Sequence, residues 1–318
     1  MYDILDFDAN FAAYCEKWMQ MNKGRFANIE QMEDAMPDVY MHWLSSPAAF
    51  LGGEKPEEYF QKYDDAPMLV NWVAEYEAAG VPVPDVLLER ITDLGQKSVR
   101  PLIRAAADPD NPKGLRVTAL NLLKEIDCGE APMETCFAII DRREGEDEVA
   151  DVAAELLQNI GDACVPDILS RIDEVSDEAR ETYLDVLCNF PGDERIFTSL
   201  MAAFDAHPEK LAMYASLLGK LGDDRALEPL YESLKQPDIN YLDYLEVRNA
   251  IEKSPVKGFS DLGEVSEHDV TWKKGDEDGT YSFEFSAGDP VRFELSKDFY
   301  DDVEFTIDDD VKLSEQKS

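Results

Sequence analysis

The sequence predicts a mainly α-helical chain in which pairs of helices repeat along a stack, followed by a small C-terminal antiparallel β-sheet. Three observations predict it. Gly95, Gly129, Gly161, Gly192 and Gly222 recur at spacings of 34, 32, 31 and 30 residues, a period that marks a stacked helical array. Between these glycines, apolar residues return every three or four positions, as one face of a helix requires. After Pro255 the apolar residues alternate with polar ones, the period-two pattern of half-buried strands.

Residues 1–64 read as a helical N-terminal cap outside the repeat. Asp8 or Asn10 suits the start of a helix carrying Phe11, Tyr14, Cys15, Trp18 and Met19 as one apolar stripe. A second helix is expected to start at Asn28, and Pro37 to interrupt or restart it before Val39, Tyr40, Trp43 and Leu44. Pro47 and the Gly52-Gly53 pair break the chain. Pro56 fits the first turn of a short helix containing Tyr59 and Phe60.

Residues 65–254 read as helix after helix. The first helix of each pair places Val99, Leu102 and Ile103; Met133, Cys136 and Phe137; Val165, Ile168 and Leu169; Ile196 and Leu200; and Ala226 and Leu230 inward. The second helices carry Leu120, Leu123 and Ile126; Val149, Val152, Leu156 and Ile160; Tyr183, Val186, Leu187 and Phe190; and Tyr214, Leu217, Leu218 and Leu221. Each pair has an apolar face too broad to bury alone, and stacking on the next pair covers it. In Gly161-Asp162, Gly192-Asp193 and Gly222-Asp223 the glycine can end one helix in the left-handed conformation and the aspartate can cap the next. Pro166 lies near a first turn; Pro101 and Pro229 lie later, where a kink is expected.

Residues 255–318 form the third predicted segment, an acidic, β-rich cap. Val270 and Trp272; Tyr281, Phe283 and Phe285; Val291, Phe293 and Leu295; and Val303, Phe305 and Ile307 mark four strands over 265–308, with a turn at Ala287-Gly288-Asp289-Pro290 and a frayed end from 309.

The segments Leu221-Gly-Asp-Asp-Arg-Ala-Leu-Glu-Pro-Leu230 and Pro191-Gly-Asp-Glu-Arg-Ile196 resemble the repeat signature of the HEAT family, in particular the short bacterial units first associated with phycobilisome lyases. Gly129 followed by Glu130, and Gly95 followed by Gln96, depart from that pattern. The resemblance implies a right-handed α-α superhelix, an armadillo-like solenoid whose relatives mostly hold other macromolecules.

Composition narrows the function. With 44% hydrophobic residues the chain has material for a core. Lys and Arg total 30 against 69 Asp and Glu, a net charge of −39, so the summed field repels phosphate backbones and anionic membranes; the acidity reads either as a means of solubility, in a salty or acidic cytoplasm, or as steering of a basic protein partner. Cys15, Cys128, Cys136, Cys164 and Cys188 are odd in number and form no C-x-x-C pair, which suits free thiols in a reducing compartment. Met1 to Asn10 has no Lys or Arg to open a signal peptide, and the apolar runs Phe11 to Cys15 and Cys136 to Ile140 are too short to span a bilayer. A cytoplasmic address is expected.

No motif supplies catalysis. His42, His207 and His268 have no H-x-x-x-H spacing, and no G-x-S-x-G elbow exists. Gly258 and Gly263 have phosphate-loop spacing, but Glu264 and Val265 replace the lysine and hydroxyl. Asp276, Asp278 and Gly279 imitate a calcium loop, but Lys274 and Phe285 occupy its first and last ligand positions. No metal or cofactor is expected. Asp151 and Glu155, then Glu181 and Asp185, stand at helical spacing on two second-layer helices, where they would form an acidic strip for a basic segment; Tyr214 and Tyr241 are candidate aromatic anchors.

A second, local similarity runs from Trp43 through Pro47, Gly52 and Gly53 to Glu57, a motif found in the toxin-binding region of Xre-type bacterial antitoxins, here without a preceding basic helix-turn-helix. The expected function is a non-catalytic protein-binding scaffold or adaptor. The alternatives are an accessory or lyase-like enzyme on a HEAT scaffold and an antitoxin-like neutraliser.

Overall fold

The computed structural model describes residues 3–26, 29–236 and 239–253, and the backbone of 270–274, 281–285 and 292–295. It is mainly helical. By its internal contacts the chain divides into two compact units, Met1–Phe190 and Pro191–Ser318.

In the first unit, helix α1 spans Phe7–Asn22 and is capped by Asp6, whose carboxylate accepts from Ala9 N at 2.8 Å. The expected caps, Asp8 and Asn10, therefore lie inside the helix. The earlier start has a tertiary cause: Phe7 is 4% exposed, and its ring meets those of Trp43, Phe50, Tyr59 and Phe60 at centroid distances of 5.3 to 6.3 Å. Helix α2 covers Ile29–Asp34; its expected cap, Asn28, lies outside the described residues. Helix α3, Met36–Leu44, has Pro37 in its first turn, where the missing amide hydrogen costs little. The helix expected from Pro56 is only a single 3-10 turn, Pro56–Glu58, and Tyr59 and Phe60 follow it into the aromatic core.

Eight helices continue this unit: α4 Ala66–Ala79, α5 Asp85–Asp93, α6 Gln96–Ala107, α7 Lys113–Glu125, α8 Met133–Ile140, α9 Glu148–Ile160, α10 Val165–Arg171 and α11 Asp177–Leu187. They pack as the pairs α4–α5, α6–α7, α8–α9 and α10–α11. Successive contacts also join α4, α6 and α8 in one file and α5, α7, α9 and α11 in the other. The apolar positions anticipated for the second helices lie between these files: Leu120, Leu123, Val149, Leu156, Tyr183, Val186 and Leu187 are all buried. Side-chain bonds follow the same period. Gln96 Nε2 donates to Asp127 O and Lys124 Nζ to Glu155 Oε2, each 31 residues apart, and Arg171 Nη1 donates to Asp141 Oδ2, 30 apart.

The second unit contains α12 Glu194–Ala206, α13 Leu211–Leu221, α14 Leu227–Ser233 and α15 Tyr241–Lys253. Helix α12 packs on α13, and both α13 and α14 pack on α15. A Cβ added at Gly219 of α13 would stand 2.7 Å from Ala250 Cα of α15, so the missing side chain is what lets the two backbones approach. The 31-residue separation recurs here, between Arg225 Nη1 and Glu194 Oε1 at 2.6 Å and between Ala212 N and Asp243 Oδ1 at 3.2 Å.

The five repeat glycines all have positive φ, from 54° at Gly95 to 127° at Gly192, a region that side-chain-bearing residues rarely enter. Asp193 and Asp223 cap as anticipated, accepting from Arg195 N at 2.9 Å and Arg225 N at 3.0 Å. Asp162 does not cap; Gly161 occupies that position and Asp162 opens a 3-10 turn. Pro101 sits inside α6 as expected, whereas Pro229 falls in the first turn of α14 because a 3-10 turn, Asp224–Ala226, precedes that helix.

The predicted fold class needs correction at the C-terminal end. The described fold is helical up to Lys253, and a sheet capping the last helices is not part of it. Beyond that point only three short extended backbone segments are described, 270–274, 281–285 and 292–295, paired antiparallel in chain order. The fourth expected strand at 303–307, the turn at 287–290, the phosphate-loop-like glycines at 258 and 263, and the acidic turn at 276–279 lie outside the described residues. Alternation in sequence requires only that one face of a strand be apolar. It does not dictate a partner for that face, and this is where the prediction overreached. The right-handed superhelix expected over residues 65–254 crosses the boundary between the two compact units, at Phe190 and Pro191.

Candidate partner-binding surface

The anticipated acidic strip is built on α9 and α11, which pack against each other. Asp147 starts α9 by accepting from Val149 N at 3.0 Å and Ala150 N at 3.3 Å. Because Val149, Val152 and Leu156 face the core, Asp151 and Glu155 point outward one turn apart, and both are exposed. Ser176 caps α11 through Ala179 N at 3.2 Å. Burial of Tyr183, Val186 and Leu187 leaves Glu181 and Asp185 half-buried at the edge of the packed face.

These carboxylates do not stand as a bare negative stripe. Arg143 Nη1 meets Asp151 Oδ1 at 2.6 Å and also donates to Thr182 Oγ1 at 3.0 Å, joining the loop after α8 to α9 and α11. Lys124 of α7 meets Glu155 at 2.6 Å, and Lys113 meets Glu148 at the same distance. Asp185 accepts from Gln158 Nε2 at 3.1 Å. The structure thus brings the four predicted acids onto neighbouring helices, but interleaves them with cations that sequence spacing did not connect. Asp151 and Glu155 are compensated locally, so any pull on a basic partner comes more from the chain's net charge of −39 than from this strip.

The two tyrosines differ. Tyr241 is 39% exposed at the start of α15. Tyr214 is 1% exposed in α13, and its ring stacks on His207 with centroids 5.9 Å apart. It is a core side chain rather than a surface anchor, because the stripe that suggested it is the buried face of its helix.

Two constellations escaped the sequence. Tyr183 donates to Asp141 Oδ1 at 2.5 Å while the Arg171 guanidinium donates to Asp141 Oδ2 and lies 4.0 Å over the Phe137 ring. Burial, then the Asp141 carboxylate, pushes the Tyr183 phenol upward, so it stays protonated as a donor. At the other end of the unit, Tyr40 donates to Asp85 Oδ2 at 3.4 Å. Burial first, then Asp85 and Glu89, pushes this phenol up to about 12. The Asp8 carboxyl is raised by burial and then by Asp6 and Asp85, and that of Glu89 by burial and then by Asp85 and Asp93. Helices α1 and α5 bring these acids together, and no local pattern announced it.

Among the described residues, no group of three or more His, Cys, Asp or Glu is arranged to hold a metal ion. His42 Nδ1 lies 2.9 Å from Tyr14 Oη and His207 Nδ1 lies 3.1 Å from Glu209, while His268 is outside the described residues. Cys136, Cys164 and Cys188 are buried, and burial pushes the Cys136 thiol up to about 12 and that of Cys164 to about 11. Among the described residues, no helix is long and apolar enough to cross a membrane.

The segment similar to the antitoxin motif has a packing role. Trp43 stacks on Phe50, centroids 6.4 Å apart and planes 7° from parallel, and Gly52 ends the 3-10 turn that carries Phe50, Ala49–Leu51, at φ 67°. Gly53 N donates to Ala48 O, and Ala48 N to Glu54 O, both at 2.9 Å. Compared with known proteins, the chain matches no family model, and no curated protein matches it.

Proposed function

We propose that this chain is a non-catalytic scaffold, built of HEAT-like helical pairs, that binds a basic protein. The observation that carries the reading is the recurrence of bonds between equivalent places of successive pairs at 30 or 31 residues, in both units. Such a pattern supports repeated units that hold one another through a common interface and leave their outer surfaces for recognition. The net charge of −39 selects the sign of the partner by raising its encounter rate at low ionic strength. Within the first unit, Asp151 and Glu155, paired with Arg143 and Lys124, and Glu181 and Asp185 on the neighbouring helix are the contact residues assigned to this role; Tyr241 is a separate contact residue of the second unit.

The test is affinity capture with the full chain from its native host at stepped salt. A stoichiometric basic protein should be retained at low salt and lost steeply as salt rises, because the Debye length shrinks from about 10 Å at 0.1 M to about 3 Å at 1 M. Retention that does not change across that range would overturn the electrostatic part. Absence of any stoichiometric protein at every salt concentration would overturn the scaffold reading itself.

A further inference from the structure

We draw no further inference here: the strongest candidate, the apolar stripe of α1 that leaves the aromatic core beyond Phe11 and runs through Trp18, whose ring meets that of Phe26, to the exposed Met21, is an apolar face for which nothing in the structure shows what covers its end.

Discussion

Adding a single methyl group at Gly219 tests how closely α13 and α15 meet. The new Cβ would lie 2.7 Å from Ala250 Cα, 2.8 Å from Ala250 Cβ and 3.4 Å from Ala250 O. Relaxed carbon contacts are about 3.5 to 4.0 Å, so the helices must separate by roughly 1 Å or distort. Overpacking of this kind costs about 1 to 3 kcal/mol. Alanine returns up to about 1 kcal/mol through its better helix propensity. The clash involves backbone on one side and a side chain with no rotamer on the other, so neither can swing away and the loss wins. Gly219→Ala should destabilise by about 1 to 2 kcal/mol, read as a lower urea midpoint by circular dichroism. Adding Ala250→Gly removes the Cβ–Cβ overlap but keeps the Cα one, so the double variant should show a favourable coupling of about 0.5 kcal/mol or more. A midpoint for Gly219→Ala at or above wild type would refute the close approach.

Other expectations concern charges and thiols. Arg143→Met removes three bonds, to Gly145 O, Asp151 and Thr182, from a side chain only 17% exposed and should cost about 1 to 2 kcal/mol, whereas Lys113→Met, whose pair with Glu148 is 64% and 56% exposed, should cost less than about 1 kcal/mol; equal urea midpoints would contradict that ranking. Bonds to Arg195, side chain first and backbone second, hold the Asp193 carboxyl down at about 2. Since the folded value lies below the unfolded one, this contribution is complete above the usual carboxylate range and is lost as pH falls through about 2. Asp193→Asn keeps a capping side chain but loses the titration, so its stability should fall less between pH values of about 4 and 2 than that of wild type; parallel acid-denaturation curves would oppose this. Finally, only Cys15 and Cys128 of the five thiols should react with an aromatic disulfide reagent in the native protein, and all five in denaturant. Fast native labelling of Cys136 would show that its helix is not buried.

Much of the helical body was legible because its rules are local. Asp193 and Asp223 cap their turns using only the next two residues, and the repeat glycines bend where side-chain-bearing residues are disfavoured. The start of α1 was misplaced because the choice among Asp6, Asp8 and Asn10 depends on the aromatic cluster that buries Phe7, whose members lie far along the chain. The acidic strip was legible as four positions and not as a potential. Arg143 and Lys124 reach it across helix boundaries, and one nearby cation cancels what spacing alone suggests. Tyr214 differs from the expectation for another reason: an apolar stripe names the face that packs, and burial removes its best members from any surface.

The amino-acid order by itself determined the helical texture, the thirty-odd-residue beat and the strong negative charge, because propensity, turn chemistry and titratable content act over a few bonds or over the whole chain. Only the tertiary structure decided which carboxylates are neutralised, which aromatics are buried and how near α13 comes to α15. Those outcomes depend on distances of a few ångströms between residues on different elements, from 8 positions apart for Arg143 and Asp151 to 31 for Lys124 and Glu155, and both Coulomb and contact energies change steeply on that scale.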